Sequence, residues 1–406
     1  MAKATRHVTS LTPAQRMAAA ATARAVVQKH LGDDVVCGAG STVLEHTEYW
    51  FSTGSLALDH ALAGQLPGGI PVGRTTGRVI HIAGKRSTGK SWLVEHVFRS
   101  VVQAGGLCLL TETEAARDPY FAEAIDLDLR QFDVQRVPSI GKMLDGFMDW
   151  HTAQRKQYPY VPMVWAIDSL DAIEPQKVYD AGGMSESRTY MRGGGKSEEF
   201  GVMFRRLAGL VCGRYPTTIL ALNQVRIKPG VLFGNPEYTT GGAAPGYYGS
   251  VEAHFRVGPL GTARAEFGGA QLSGATRKAL GLPAQIKGRA VGRWVRVRIE
   301  KSRLSDSLLS EADFYIDFRT GFNKYAGLFQ RFYTQELLQV EQNSARVAQR
   351  RPDGTIQVFA NRAVWAAWIK EDPTHCHTAP YRAGGNGVVT SLAAPSTETD
   401  GEEEGE

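Results

Sequence analysis

The sequence predicts an α/β protein with a mostly parallel sheet covered by helices on both faces, and three observations predict it. Short apolar runs recur at 79–83, 107–111, 132–137, 163–167, 217–222 and 251–257. They are apolar on successive residues, as strands buried on both faces must be. Helix-forming stretches of crossover length separate them at 90–104, 119–125, 140–157 and 199–212, the spacing of βαβ units. A glycine-rich string, Gly84-Lys85-Arg86-Ser87-Thr88-Gly89-Lys90-Ser91, falls between the first run and the first of those helices.

The remaining elements follow in order. Residues 12–32 read as one helix: Thr12 can cap it, Pro13 suits the first turn and Gly32 can end it. Its alanine-rich face is too thin to bury much surface alone, so it needs another surface to pack on. Residues 33–50 read as a connection with an extended piece. After the sixth run, Trp294-Val295-Arg296-Val297-Arg298-Ile299 alternates with period two, the mark of a half-exposed strand. Residues 321–385 read as a small α+β domain with a helix near 362–370, and 386–406 as a disordered acidic tail. The expected division is therefore 1–50, 51–320, 321–385 and 386–406. Two glycine-rich connections, 174–198 and 226–249, are too long to be simple turns.

Composition narrows the class. The 406 residues are 43% hydrophobic and 21% charged, enough for a full-sized core. No run reaches the ~20 apolar residues of a membrane span, and the start Met1-Ala2-Lys3-Ala4-Thr5-Arg6-His7 lacks an apolar signal core. Cys37, Cys108, Cys212 and Cys376 show no paired metal spacing, so a reducing, cytoplasmic setting without membrane partners is expected. His375-Cys376-His377 has no second cluster to complete a metal site and reads as a surface turn. The net charge is +5, yet the last ten residues carry six acids (Glu398, Asp400, Glu402, Glu403, Glu404 and Glu406), leaving the body at +11. A basic body with an acidic tail fits a polyanionic partner for which the tail competes.

The string 84–91 matches G-x-x-x-x-G-K-[ST], with a strand before it and a helix after it, as a phosphate-binding loop requires. Glycines let backbone N–H groups converge on phosphate oxygens, and the helix start adds its positive end. Lys90 is expected to neutralise the β and γ oxygens of ATP and Ser91 to bind Mg²⁺. Asp168, ending an apolar strand, supplies the second Mg²⁺ contact. Hydrolysis also needs a group that orients water; Glu112 and Glu114 both qualify, and spacing alone does not choose between them. In the two long connections, Arg188, Arg192, Lys196, Arg226 and Lys228 can meet nucleic-acid phosphates, while Ile227 and Phe233 can stack on or wedge between bases.

These residues resemble the RecA family of recombinases. Phe51-Ser52-Thr53-Gly54-Ser55-Leu56-Ala57-Leu58-Asp59, the phosphate loop, the 114–119 stretch and Ile167-Asp168-Ser169 occur in that family's order. The most specific stretch is Asn223-Gln224-Val225-Arg226-Ile227-Lys228-Pro229-Gly230-Val231-Leu232-Phe233-Gly234-Asn235-Pro236-Glu237, followed by Thr239-Thr240-Gly241-Gly242. The resemblance covers roughly residues 12–320, and its divergence suits a phage-encoded or otherwise remote member. It implies a P-loop ATPase core and a polymerisation role for the N-terminal helix. It implies that Glu114 activates water, that Asp118 hydrogen-bonds adenine, that Phe121 stacks on it, and that Gln224 senses the γ-phosphate. It implies that Lys301 and Arg303 reach the neighbouring subunit's phosphates, and that 174–198 and 226–249, with Arg205, Gly241 and Gly242, form the DNA-binding surface. The partners implied are single-stranded DNA, homologous duplex DNA and further copies of the chain in a helical filament. Lys85 and Arg86 stand where the family commonly has Pro and Glu, and Pro245-Gly246 precedes Tyr247-Tyr248 where a Lys before an aromatic is usual. Two other readings stay open: a ring ATPase or helicase of the same superfamily, and a DNA-annealing or scaffold protein with a weak regulatory ATPase.

Overall fold

The computed structural model describes residues 12–31, 47–74, 76–114, 119–181, 195–227, 230, 237–260, 275, 278, 291–304, 311–335, 337–341, 346–351, 353, 355–372 and 388–389. The chain divides into two compact units, 1–47 and 48–406. In the first, helix α1 (Pro13–Leu31) is capped as expected: Thr12 Oγ1 accepts from the Gln15 N–H at 3.3 Å, and Gln15 Oε1 accepts from the Thr12 N–H at 2.9 Å. The two orphan donors of the first turn are satisfied reciprocally. Met17 and Val26 stand exposed on this helix.

The second unit is built on a ten-stranded sheet. Its parallel part is made of β3 (Val79–Gly84), β4 (Leu107–Glu112), β5 (Asp133–Gln135), β6 (Met163–Asp168), β7 (Thr217–Ile227) and β9 (Val251–Leu260), in the order β9-β3-β7-β6-β4-β5. Strands β10 (Gly292–Ser302), β11 (Glu311–Asp317) and β12 (Gly321–Phe322) extend it antiparallel beyond β9, and β8 (Glu237–Thr239) pairs with the end of β7. Before the sheet lie β1 (Thr47–Phe51), α2 (Leu56–Ala63) and β2 (Ile70–Gly73).

Alternation sorts each central strand's residues between two cores. Ile80, Ile82, Cys108, Leu110, Val164, Ala166, Leu220 and Leu222 face one core, which includes Leu93, Val97 and Phe98 of α3 (Lys90–Gln103). Val79, Leu109, Trp165, Ile167, Ile219 and Ala221 face the other. There α5 (Ile140–Gln157) packs with α7 (Gly195–Arg206), whose last turns continue as a π-helix through Leu207–Cys212. Phe147 of α5 stacks on Trp165 with centroids 3.9 Å apart, and the indole N–H donates to Thr111 Oγ1 at 2.8 Å. The short helices α4 (Pro119–Ala124), α6 (Gln176–Ala181) and α8 (Ala244–Tyr248) lie in the connections.

Beyond the main sheet, β13 (Leu338–Glu341), β14 (Val347–Arg350), β15 (Ile356–Phe359) and β16 (Val388–Val389) form a four-stranded sheet with α9 (Leu328–Thr334) and α10 (Arg362–Glu371). Its core draws in Trp294 of β10 and Tyr315 of β11 beside Phe332, Phe359 and Trp365. The buried Arg331 guanidinium donates to His60 Nδ1 at 3.1 Å and to the Glu311 carbonyl at 3.1 Å, joining α9 to α2. Among the described residues, no helix is long and apolar enough to cross a membrane and no group of three or more His, Cys, Asp or Glu could hold a metal ion.

The differences from the sequence reading are local. The run at 132–137 yields a strand of three residues, and the run at 217–222 continues unbroken to Ile227. Part of the 226–249 connection is therefore strand and hairpin: Val225 pairs with Thr239 and Ile227 with Glu237. His375, Cys376 and His377 lie outside the described residues.

Candidate functional site

In an open parallel sheet, ligands settle beyond the carboxyl ends of the strands, where connections diverge to opposite faces. The register brings the candidate residues to that edge. Gly84 of β3 lies opposite Gln224 of β7, and Glu112 of β4 opposite Asp168 of β6. A cleft of about 640 Å³ opens there, lined by Arg86, Ser87, Thr88, Gly89, Lys90, Ser91, Trp92, Glu114, Asp168, Ser169, Gln224, Ile316 and Phe318.

The loop between β3 and α3 is packed too tightly to carry side chains at its glycines. Gly89 has φ +83°, and a Cβ there would lie 2.5 Å from Ile316 Cδ1. A Cβ on Gly84 would meet Thr88 Oγ1 at 2.8 Å. Thr88 Oγ1 in turn donates to the Lys85 carbonyl at 2.9 Å. Lys90 is buried, and its ammonium donates to the carbonyls of Gly84 at 2.8 Å and Lys85 at 2.9 Å. Burial holds its pKa below the usual lysine range, against the pull of Asp168 and Glu114. Asp168 lies across the cleft. Burial raises its carboxyl pKa, the Ser91 hydroxyl bond opposes the rise, and the Glu114 charge adds to it.

This cradle fits a polyphosphate and a magnesium ion. The phosphate loop and Lys90 line the cleft together with a hydroxyl and a carboxylate, Ser91 and Asp168, which are hydrogen-bonded to each other and are the hard oxygen donors Mg²⁺ prefers. Ser91 and Asp168 are the residues that would hold the metal.

Glu112 and Glu114 both line a small cavity with Ser91 and Asp168, but they take different partners. Glu112 is buried beneath Arg136, which approaches to 2.6 Å. Glu114 reaches the cleft, where its Oε1 accepts from the Ser169 hydroxyl at 3.1 Å and from the Gln224 amide at 2.6 Å. Lys301 and Arg303 do not line this cleft. The Lys301 ammonium donates to the carbonyls of Gly246 and Tyr247, both at 2.8 Å, at the C-terminal end of α8. Arg303 is exposed.

Phe121 is not brought to the cleft either. It is buried and stacked on Trp92, centroids 3.9 Å apart, so one face of its ring is already covered. Trp92 was missed in the sequence because α-helical spacing alone reads it as one more residue on a half-buried helix. Asp118 lies outside the described residues.

Of the residues expected to meet DNA, Arg188, Arg192, Lys228 and Phe233 lie outside the described residues. Ile227 is exposed at the end of β7, and Arg205 is exposed on α7 with its Nε donating to Tyr248 Oη at 3.3 Å. Lys196 is buried rather than presented. Its ammonium donates to the Asp171 main-chain carbonyl at 2.8 Å, and burial lowers its pKa to about 8. Arg226 donates to the Asp171 carboxylate at 2.5 Å, and the Thr240 hydroxyl bonds the other oxygen. Gly241 and Gly242, at φ +92° and +67°, turn the chain against α7; a Cβ on Gly241 would meet the Phe200 ring at 2.8 Å. Lys85 of the phosphate loop pairs with Glu237 of β8 at 3.0 Å, a contact no sequence motif announced.

Residues 18–271 match the RecA N-terminal domain. The chain is 34% identical over 205 residues to the protein RecA of Synechococcus sp. (strain CC9902), covering 50% of this chain and 49% of that protein. It is 32% identical over 230 residues to that of Arthrospira platensis, covering 57% of each. To that of Cereibacter sphaeroides (strain ATCC 17023) it is 34% identical over 225 residues, covering 55% of this chain and 60% of that one. The chain thus spans about half the length of the curated relatives it matches. With more than half of its residues matched and a phosphate loop seated on a mostly parallel sheet, the chain belongs to the RecA family.

Proposed function

We propose that this protein is an ATP-dependent DNA recombinase that forms a helical filament on single-stranded DNA and promotes pairing and strand exchange with a homologous duplex. The observation that carries the reading is the 2.6 Å hydrogen bond from Gln224 to Glu114. It joins the acid beside the phosphate cradle to the strand that leads into the second glycine-rich connection. In this reading Lys90 and the loop's N–H groups hold the phosphates, and Glu114 orients the attacking water. Mg²⁺, when held by Ser91 and Asp168, neutralises charge on the phosphate oxygens. A γ-phosphate that competes for the Gln224 amide frees Glu114 for water and shifts β7 towards the DNA-gripping state, so nucleotide and DNA favour the same conformation.

The position of Lys301 and Arg303 away from their own chain's cleft supports action on an adjoining subunit, which would make hydrolysis depend on assembly. The cytoplasmic setting and the polymerising role of α1 belong to the same proposal. The test is the ATPase rate with and without single-stranded DNA, for wild type and Lys90→Ala. We expect DNA-stimulated hydrolysis that the substitution abolishes. Wild-type hydrolysis indifferent to DNA would refute the reading.

A further inference from the structure

We propose that the indole of Trp92, not the ring of Phe121, is the surface on which the nucleotide base stacks. The inference rests on the nucleotide-binding reading above and concerns a residue that reading leaves unused. Phe121 is buried, with 8% of its surface exposed. Trp92 covers one face of its ring at 3.9 Å with the planes 16° apart, and His96 stands edge-on to the ring at 6.0 Å. Around its rim, a Cβ added at Gly321 would lie 2.8 Å from Phe121 Cζ, so the surrounding chain is in van der Waals contact already. A planar ligand would have to displace Trp92 or core side chains to reach it.

Trp92 is placed differently. It follows Ser91 directly, in the first turn of α3, and lines the same cleft as the phosphate loop. One face is fixed against Phe121, and the side chain is only half-buried because the rest of it borders the cleft with Ile316 and Phe318. Phe121 acts as the buttress that holds the indole upright. A pre-oriented indole supplies a large flat surface without the entropy cost of ordering it, and stacking on it is tolerant of base identity. The ligand class it fits is therefore a nucleoside triphosphate, recognised at one end by the loop and at the other by a π-face.

The test compares the dissociation constants of ATP and of tripolyphosphate, which lacks the base, in the full-length protein with Mg²⁺ and no DNA. Trp92→Ala should weaken ATP about tenfold or more and leave tripolyphosphate unchanged, while Trp92→Phe should keep ATP within about threefold of wild type. Phe121→Leu should weaken ATP less than Trp92→Ala does. Equal losses for both ligands in Trp92→Ala and Trp92→Phe would make Trp92 a support for the loop and overturn the proposal. So would unchanged ATP affinity in Trp92→Ala, or a larger ATP loss in Phe121→Leu. Wild-type protein that binds neither ligand would instead overturn the nucleotide reading itself, and this inference with it.

Discussion

Replacing Asp171 by Asn tests whether, under the proposed function, the protein holds the cation of Arg226 in reserve for DNA. Burial raises the Asp171 carboxyl, but the bonds from Arg226 and Thr240 outweigh it, so the group is held ionised below the usual carboxylate range. Arg226 is 55% exposed and Asp171 7%, so the pair is a partly solvated one worth about 1 kcal/mol. Asn keeps an oxygen for the Thr240 hydroxyl and removes the charge that holds Arg226. Lys196 bonds the main-chain carbonyl of residue 171, which the substitution leaves in place. One cation is therefore released, not two. Affinity for single-stranded DNA without nucleotide should rise about fivefold. The plot of log K against log salt should steepen by about 0.7, the contribution of one further phosphate contact on a single strand. Fluorescence anisotropy of a labelled oligothymidylate across a salt series reads both quantities, and thermal melting checks that the fold is intact. An unchanged slope with unchanged affinity would refute the idea that Asp171 withholds Arg226 from DNA.

Glu114→Gln should cut DNA-stimulated hydrolysis by roughly 10²- to 10⁴-fold while ATP binding stays within a few-fold, as single-turnover and equilibrium measurements would separate; Glu112→Gln, paired with Arg136 instead, should not. Lys85→Glu and Glu237→Lys should each weaken the effect of ATP on DNA affinity several-fold, and the double exchange should recover it, since the pair then re-forms with reversed charges. His96 accepts from the Phe322 N–H and His151 from the Arg155 side chain, and burial lowers the pKa of both to about 4. Their folded pKa lies below the unfolded 6.5, so the unfolded chain takes up protons first and stability falls as pH drops from 6.5 towards 4. At pH 5 each should cost about 2 kcal/mol, read as a lower urea midpoint. His96→Asn, which keeps an acceptor, should remove part of that pH dependence.

What could be read from the sequence was whatever local pattern determines. The strand–loop–helix at 79–103 follows from an apolar run, glycines and a helix start, and it stands where the pattern put it. The strands facing two cores were legible because their burial on both sides leaves no polar alternation to misread. The end of β7 was not legible. Asn223 and Gln224 are polar and join the strand through their register with Ala83 and Gly84 of β3, while Val225, Arg226 and Ile227 are held in it by pairing with Thr239, Tyr238 and Glu237 of β8. The choice between Glu112 and Glu114 depends on Arg136 and Gln224, which are 24 and 110 residues away from them. The same holds for Trp92. The role proposed for it depends on Phe121, which stacks behind it from α4, and on nothing in the residues adjoining it.

The length of β7 has a mechanical consequence. Eleven residues run without a break from the buried middle of the sheet to the exposed Ile227, a rod of about 36 Å at ~3.3 Å per residue. Gln224 sits three residues from its outer tip. A loop at that point would flex and dissipate a small displacement of the amide. A hydrogen-bonded ribbon is stiff along its axis, so a displacement of Gln224 is carried over the three residues to Ile227.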